Sequence, residues 1–200
     1  MGQGFTIWIT GLPGSGKTTL ARNLEEGLLE RGLNVERLDG GEIRANWLQG
    51  LGYTTGEREG FIRLLGHVCT LLTRNGVIAI GAAVSPYREL RNELRGGIGR
   101  FVEVYMKCPA AICEQRDTTG LYKKARSGEL KDFTGVSAPY EEPTNPEIVL
   151  ESDRESPEAC CREVLRTIEI LGYVPEMQGR DYSEEDEAKI TTRLKDLGYI

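Results

Sequence analysis

The segment Gly11-Leu12-Pro13-Gly14-Ser15-Gly16-Lys17-Thr18 satisfies Gly-x-x-x-x-Gly-Lys-Ser/Thr in full, with Thr19 behind it. Glycines at this spacing let successive backbone N–H groups close around phosphate oxygens. A helix opening at the lysine adds the positive end of its dipole. Lys17 then suits β- and γ-phosphates, and the Thr18 hydroxyl suits Mg²⁺. Residues 5–10 are a short β-branched, apolar run leading into the loop, and a helical pattern leaves it. A chance glycine-rich turn would share the loop but not both flanks. The ligand implied is a nucleoside triphosphate. The Asn-Lys-x-Asp motif of common GTPases is absent, and 200 residues are few for a motor or a transporter. A small-molecule kinase fits the size better.

An acceptor would need a base and a binding surface. Asp39 ends the strand-like run 35–39, on the edge where open parallel sheets gather ligands. It can accept a hydroxyl proton or orient Mg²⁺; equally, it can cap the helix that follows. Arg44, Arg58, Arg63, Arg88 and Arg91 recur near the starts of the next helices. Guanidinium forks grip sulfate and phosphate oxygens, so the cluster favours an anionic acceptor over mere solvated helix faces.

These residues need a frame. Apolar runs at 5–10, 35–39, 77–84, 101–107 and 147–151 alternate with helical patterns at 17–31, 58–74, 87–94, 109–116 and 157–171. That alternation predicts an α/β fold, a five-stranded parallel sheet covered by helices on both faces. Residues 118–146 lack periodicity and are rich in Lys, Gly and Pro, as a mobile lid would be. Residues 172–183 read as a linker to a charged helix at 184–197, with Ser183 as N-cap and Ile190, Leu194 and Leu197 in one apolar stripe. The division predicted is therefore 1–172 and a helical extension, 173–200.

Composition excludes other classes. Twenty-five basic against 31 acidic residues give a net charge of -6, which argues against a general nucleic-acid binder. No apolar run approaches a membrane span, and residues 1–5 carry no secretory signal. Five cysteines with no Cys-x-x-Cys, and His67 as the lone histidine, argue against zinc and for reduced thiols in the cytoplasm. Trp8 reads as core and Trp47 as a surface or dimer contact.

Further along, the segments GLPGSGKTTLA, LDGGEIR, Ser85-Pro86-Tyr87-Arg88, Cys113-Glu114-Gln115-Arg116-Asp117, GLYKKAR (120–126) and FTGVSAPYEEP (133–143) occur in order. Over roughly residues 4–172 the chain resembles the adenylylsulfate (APS) kinase family of P-loop kinases. The resemblance implies transfer of the ATP γ-phosphate to the 3′-hydroxyl of APS in sulfate activation, with Mg²⁺. By position it implies Asp39, Lys17 and Ser85 as catalytic, with Asp39 beside Thr18 at the metal. Arg44, Arg58 and Arg63 would meet the acceptor, Tyr53 and Phe133 would sandwich its adenine, and Lys123, Lys124 and Arg126 would lie in the lid. It also implies a homodimer, and the tail offers a handle for another protein, for instance a sulfurylase.

Two positions depart from the family pattern. Gly41 stands where a second carboxylate is usual, with Glu42 next door as a substitute, and Phe61 stands for an acceptor-binding Asn. These departures keep open a kinase of another nucleotide-linked acceptor, such as a cytidine diphosphate derivative, and the tail at 184–200 keeps open a weakly active nucleotide-binding partner of a sulfurylase.

Overall fold

The computed structural model describes residues 3–177, except 49, 51 and 53, and residues 183–200. In chain order the elements are β1 (Thr6–Gly11), α1 (Lys17–Leu29), β2 (Val35–Asp39), α2 (Gly40–Trp47), α3 (Thr55–Arg74), β3 (Ile78–Ala82) and α4 (Arg88–Ile98). There follow β4 (Phe101–Lys107), α5 (Ala110–Gln115), α6 (Leu121–Arg126), β5 (Ile148–Glu151), α7 (Pro157–Ile170) and α8 (Glu184–Asp196). The five strands form one parallel sheet in the order β2-β3-β1-β4-β5. The P-loop strand is thus central, and every strand delivers its carboxyl end to one edge.

Both faces are covered, for the reason the sequence suggests. Leu20, Ala21, Leu24 and Leu28 of α1 form one buried stripe and pack with Val164, Leu165 and Ile168 of α7 on one face. Phe61, Ile62, Leu65 and Cys69 of α3 meet Leu90 and Leu94 of α4 on the other, over Trp8. A Cβ at Gly81 would lie 2.5 Å from the Trp8 ring, so only glycine lets that indole pack on β3. Each such large side chain, fully buried, contributes about 1.5–3 kcal/mol.

Several boundaries move. The run 77–84 pairs only over 78–82, because the chain then turns across the sheet edge at Ser85. α3 starts earlier than the apolar spacing indicates, at a capping box in which Thr54 and Glu57 satisfy each other's backbone amides. The segment 118–146 is not wholly irregular: α6 lies within it. The expected linker from 172 begins as core. Gly172 turns the chain at φ 67, Val174 is buried, and Tyr173 packs tilted against Phe5 at 5.1 Å with the Arg100 guanidinium on it. Residues 178–182 of that stretch lie outside the described residues.

The tail helix α8 packs on α7, with Ile190 and Leu194 buried and Leu197 partly so. Arg193 donates from Nε and Nη2 to the Pro146 carbonyl at 3.1 and 2.7 Å, and Lys189 pairs with Glu163 at 3.0 Å. All five cysteines are buried and free. No helix among the described residues is long and apolar enough to cross a membrane. His67 and Trp47 are exposed, the latter 82%.

Candidate active site

β1 delivers Gly11 to the carboxyl edge of the sheet, and α1 begins at Lys17 directly after the loop. Gly14 has φ 79, and a Cβ there would stand 2.6 Å from the Cys113 carbonyl, so the tight approach of loop to α5 requires glycine. The Ser152 hydroxyl holds the loop from the far side by donating to the Ser15 carbonyl at 2.9 Å. Lys17 Nζ donates to the carbonyls of Gly11 and Leu12 at 3.0 and 2.7 Å. Burial pushes this ammonium down from 10.5 to about 8, against the opposing pull of Asp39 and Cys113.

Asp39 caps the following helix with one oxygen, and its other oxygen is turned toward the P-loop. Its Oδ1 caps α2, accepting the amides of Gly41 and Glu42 at 2.8 and 3.0 Å, while Oδ2 accepts the Thr18 hydroxyl at 2.6 Å. The cap fixes the carboxylate so that its second oxygen points at the P-loop. Thr18 and Asp39 together present hard oxygens and leave room for phosphate and water, the donor set that Mg²⁺ accepts.

Two cavities meet here. One, about 480 Å³, is lined by residues 14–20 with Met106, Arg116, Ser152 and Pro157. The other, about 380 Å³, is lined by Asp39, Arg44, Arg58, Phe61, Ser85 and Phe133 among others. Gly14, Lys17, Thr18, Arg116 and Thr118 belong to both walls. Two ligands would therefore face each other across the lysine and threonine of the loop.

In the second cavity Arg58 is buried. Its Nη1 donates to Thr134 at 2.9 Å, and its Nε has no hydrogen-bond partner among the described residues. Arg44 lies over the Phe61 ring at 4.5 Å and donates to the Gly52 carbonyl at 3.0 Å. Phe133 meets Tyr122 edge-on at 5.0 Å, and the Tyr122 hydroxyl donates to the Pro13 carbonyl at 2.9 Å. That bond ties α6 to the loop. Tyr53, the other half of the expected sandwich, lies outside the described residues.

Other expected residues stand elsewhere. Ser85 lines the cavity, but its hydroxyl is buried, accepting from the Trp8 indole at 3.0 Å and donating to Thr10 at 3.0 Å. Its φ of 36 is strained for a non-glycine residue, at a cost of about 1–3 kcal/mol. Arg63 is on the exposed face of α3 with Glu59 and Glu93, because five residues beyond Arg58 is well round the helix. Arg88 donates to the Glu142 carbonyl, and Arg91 is buried in α4; neither lines a cavity.

Lys123 and Lys124 are exposed, because α6 turns Tyr122 and Ala125 inward; Lys124 faces Glu129 and Arg126 faces Glu114. Glu42 does not replace the carboxylate absent at Gly41. It pairs with Arg22 and Arg37 at 2.5 and 2.8 Å, which hold it below the usual carboxylate range. The sequence reading missed Arg116, Tyr122 and Thr134. All three lie in the motifs already noted, 113–117, 120–126 and 133–143, and only the cavity walls single them out.

Comparison with known proteins shows the family. The sequence model of the family described as Adenylylsulphate kinase matches residues 3–151. The chain belongs to the adenylylsulfate kinase family. It is 51% identical over 172 residues to the adenylyl-sulfate kinase of Rippkaea orientalis, covering 86% of this chain and 95% of that one. It is 46% identical over 173 residues to a Sorangium cellulosum protein named "Probable bifunctional SAT/APS kinase 2", covering 86% of this chain and 30% of that one. Among solved structures, the Mycobacterium tuberculosis APS kinase in complex with AMPPNP and APS superposes with a TM-score of 0.76 at 38% identity, covering 86% and 99% of the two chains. The matched residues, 3–151, include β1, the P-loop, Asp39 and the segment bearing Phe133. α7 and α8 follow the end of the family match.

Proposed function

We propose that this chain transfers the γ-phosphoryl group of ATP to the 3′-hydroxyl of adenosine 5′-phosphosulfate, giving ADP and 3′-phospho-APS in sulfate activation. The observation that carries the reading is the pair of cavities sharing Lys17 and Thr18, with Asp39 on the wall of the second and hydrogen-bonded to the shared Thr18. ATP occupies the larger cavity, its phosphates wrapped by residues 11–18 and flanked by Thr19, with Arg116 on the wall beyond. APS occupies the second, its phosphosulfate against Arg44 and Arg58, its adenine beside Phe133 and Phe61. The unpaired Arg58 Nε is a buried donor held ready for an anion, since leaving such a group unmatched costs about 1–3 kcal/mol.

The chemistry follows from placement. Asp39 accepts the proton of the 3′-hydroxyl as its oxygen attacks the γ-phosphorus, and the bond to the β-phosphate oxygen breaks. Lys17 stabilises the charge that gathers on the transferring oxygens, in a site where burial strengthens the interaction. Thr18 and Asp39 would hold Mg²⁺, which when bound neutralises phosphate charge. Ser85 shapes the acceptor wall through its backbone. Lys123 and Lys124 reach the phosphates only if the 118–146 segment closes as a lid.

Five buried free thiols suit a reducing compartment, so the cytoplasm completes the reading. A homodimer and a sulfurylase partner rest on family resemblance and on the fused Sorangium relative. A coupled ADP-release assay with Mg·ATP tests the core claim, comparing APS with a panel of nucleotide diphosphate derivatives. Strong, APS-selective turnover is expected. Silence with APS despite measurable ATP binding would overturn it.

A further inference from the structure

Neither the C-terminal tail nor the fully buried Arg91 lines either cavity, yet a continuous chain of ion pairs and hydrogen bonds joins them to the acceptor wall. Arg91 spends its whole guanidinium on three pieces of the fold. Nε donates to Glu103 of β4 at 2.8 Å, Nη1 to the Ser85 carbonyl at 2.6 Å, and Nη2 to the Glu141 carbonyl at 2.6 Å. Its face lies 5.6 Å from the Tyr140 ring, whose hydroxyl is 2.9 Å from that of Thr10. One side chain therefore fixes the turn at the cavity wall and the point where the lid segment returns to the sheet.

The network continues outward. Glu103 also meets Arg95 at 3.3 Å, and Arg95 grips both oxygens of the buried Glu147 at 2.6 and 2.8 Å. The Tyr199 hydroxyl donates to Glu147 at 2.6 Å. Burial and the adjacent Glu147 carboxylate push Tyr199 up to about 12, so it stays a donor across the working range. Arg193 holds the neighbouring Pro146 carbonyl. Buried charges are costly unless each is matched, and an apolar core would be the cheaper way to join α4 to β4. What this network adds is orientation: it ends on the carbonyl of Ser85, a residue whose φ of 36 persists only while its surroundings hold it.

We propose that Arg91 is a positioning residue for phosphoryl transfer, holding Ser85 and the returning end of the lid at the acceptor wall, and that Tyr199 of the tail completes the ion network that holds Arg91. The proposal rests on the reading of the second cavity as the acceptor site. It gives the C-terminal extension a part in acceptor binding without any contact to the acceptor.

Two variants of the full chain test it. Arg91→Lys keeps the charge and loses the fork, and Tyr199→Phe removes a single hydroxyl from a partly exposed ring. Arg91→Lys should raise the APS KM about tenfold, the loss of a charge-assisted bond, with the ATP KM little changed. Tyr199→Phe should raise the same KM about two- to threefold, and the double variant should be no worse than Arg91→Lys alone, because the two act in series. Hydrogen exchange should quicken at 84–86 and 139–147 in both variants and stay unchanged in α1. Equal shifts in both KM values, independent multiplying effects, or unaltered exchange at those segments would overturn the proposal. If Arg91→Lys fails to fold, the KM split and the exchange of Tyr199→Phe decide alone. A wild-type chain inert toward APS would reject the acceptor assignment instead, and exchange would still decide whether the network holds Ser85.

Discussion

At the scale of single residues, Lys17 gives the sharpest expectation. Its ammonium loses its proton near pH 8 in the nucleotide-free protein because burial disfavours the charge. A triphosphate restores the charged form, so ATP binding should take up as much as one proton above that pH. The ATP affinity should then fall by up to about tenfold per pH unit as pH rises beyond 8. Calorimetry in buffers of different ionisation enthalpy measures that uptake, and none at pH 9 would contradict the burial. The same shift makes the empty fold gain stability between about 8 and 10.5, where the unfolded lysine keeps a proton that the folded one has lost. Lys17→Ala should lower kcat by roughly 10²–10³ with ATP binding weakened less, read by steady-state kinetics. Phe61 shows how one substitution is absorbed: its ring carries the Arg44 guanidinium and abuts Gly40, where a Cβ would stand 3.2 Å away.

At the scale of elements, the 118–146 segment is the piece that sequence patterning could not resolve. Its helix α6 has six residues, too few for periodicity to register, and its two inward residues are held by the third apolar cluster rather than by the main core. Phe133 and Tyr122 form that cluster with Cys108 and Cys113, so this segment rests on α5 and the P-loop. Phe133→Ala should therefore raise the acceptor KM roughly tenfold, as losing one stacked base does, and the ATP KM much less. Kinetics with each substrate varied in turn check it, and the reverse order of effects would reject the stacking role. α8 shows the opposite case: its stripe of Ile190, Leu194 and Leu197 was plain in the sequence, and its place on α7 was not.

For the whole molecule, the arrangement predicts coupling between ligand and stability. The two cavities are walled by the P-loop, α2, α3 and the 118–146 segment, so ligands that fill them would bind only the folded chain. A non-hydrolysable ATP analogue with Mg²⁺ at about 100 times its Kd should add about 2.7 kcal/mol, or roughly 5–10 °C in Tm for a chain of this size. Scanning calorimetry would show a further rise with the acceptor present. No further rise would mean that the second cavity is not the acceptor's.

The sequence by itself determined the strand–loop–helix at Gly11–Thr18, the alternation that makes a parallel sheet, and the position of Asp39 at a strand end. These are local: glycine spacing, apolar period and chain direction suffice to specify them. The packing of the elements sets which of the arginines line the second cavity. Arg44, Arg58, Arg63 and Arg91 look alike along the chain, yet helix phase sends Arg63 to solvent and Arg91 into a buried network. It decided too that Glu42 is spent on Arg22 and Arg37, and that Ser85 keeps its hydroxyl inside. A side chain's role there depends on what lies opposite it, across some tens of residues, and no local pattern records that.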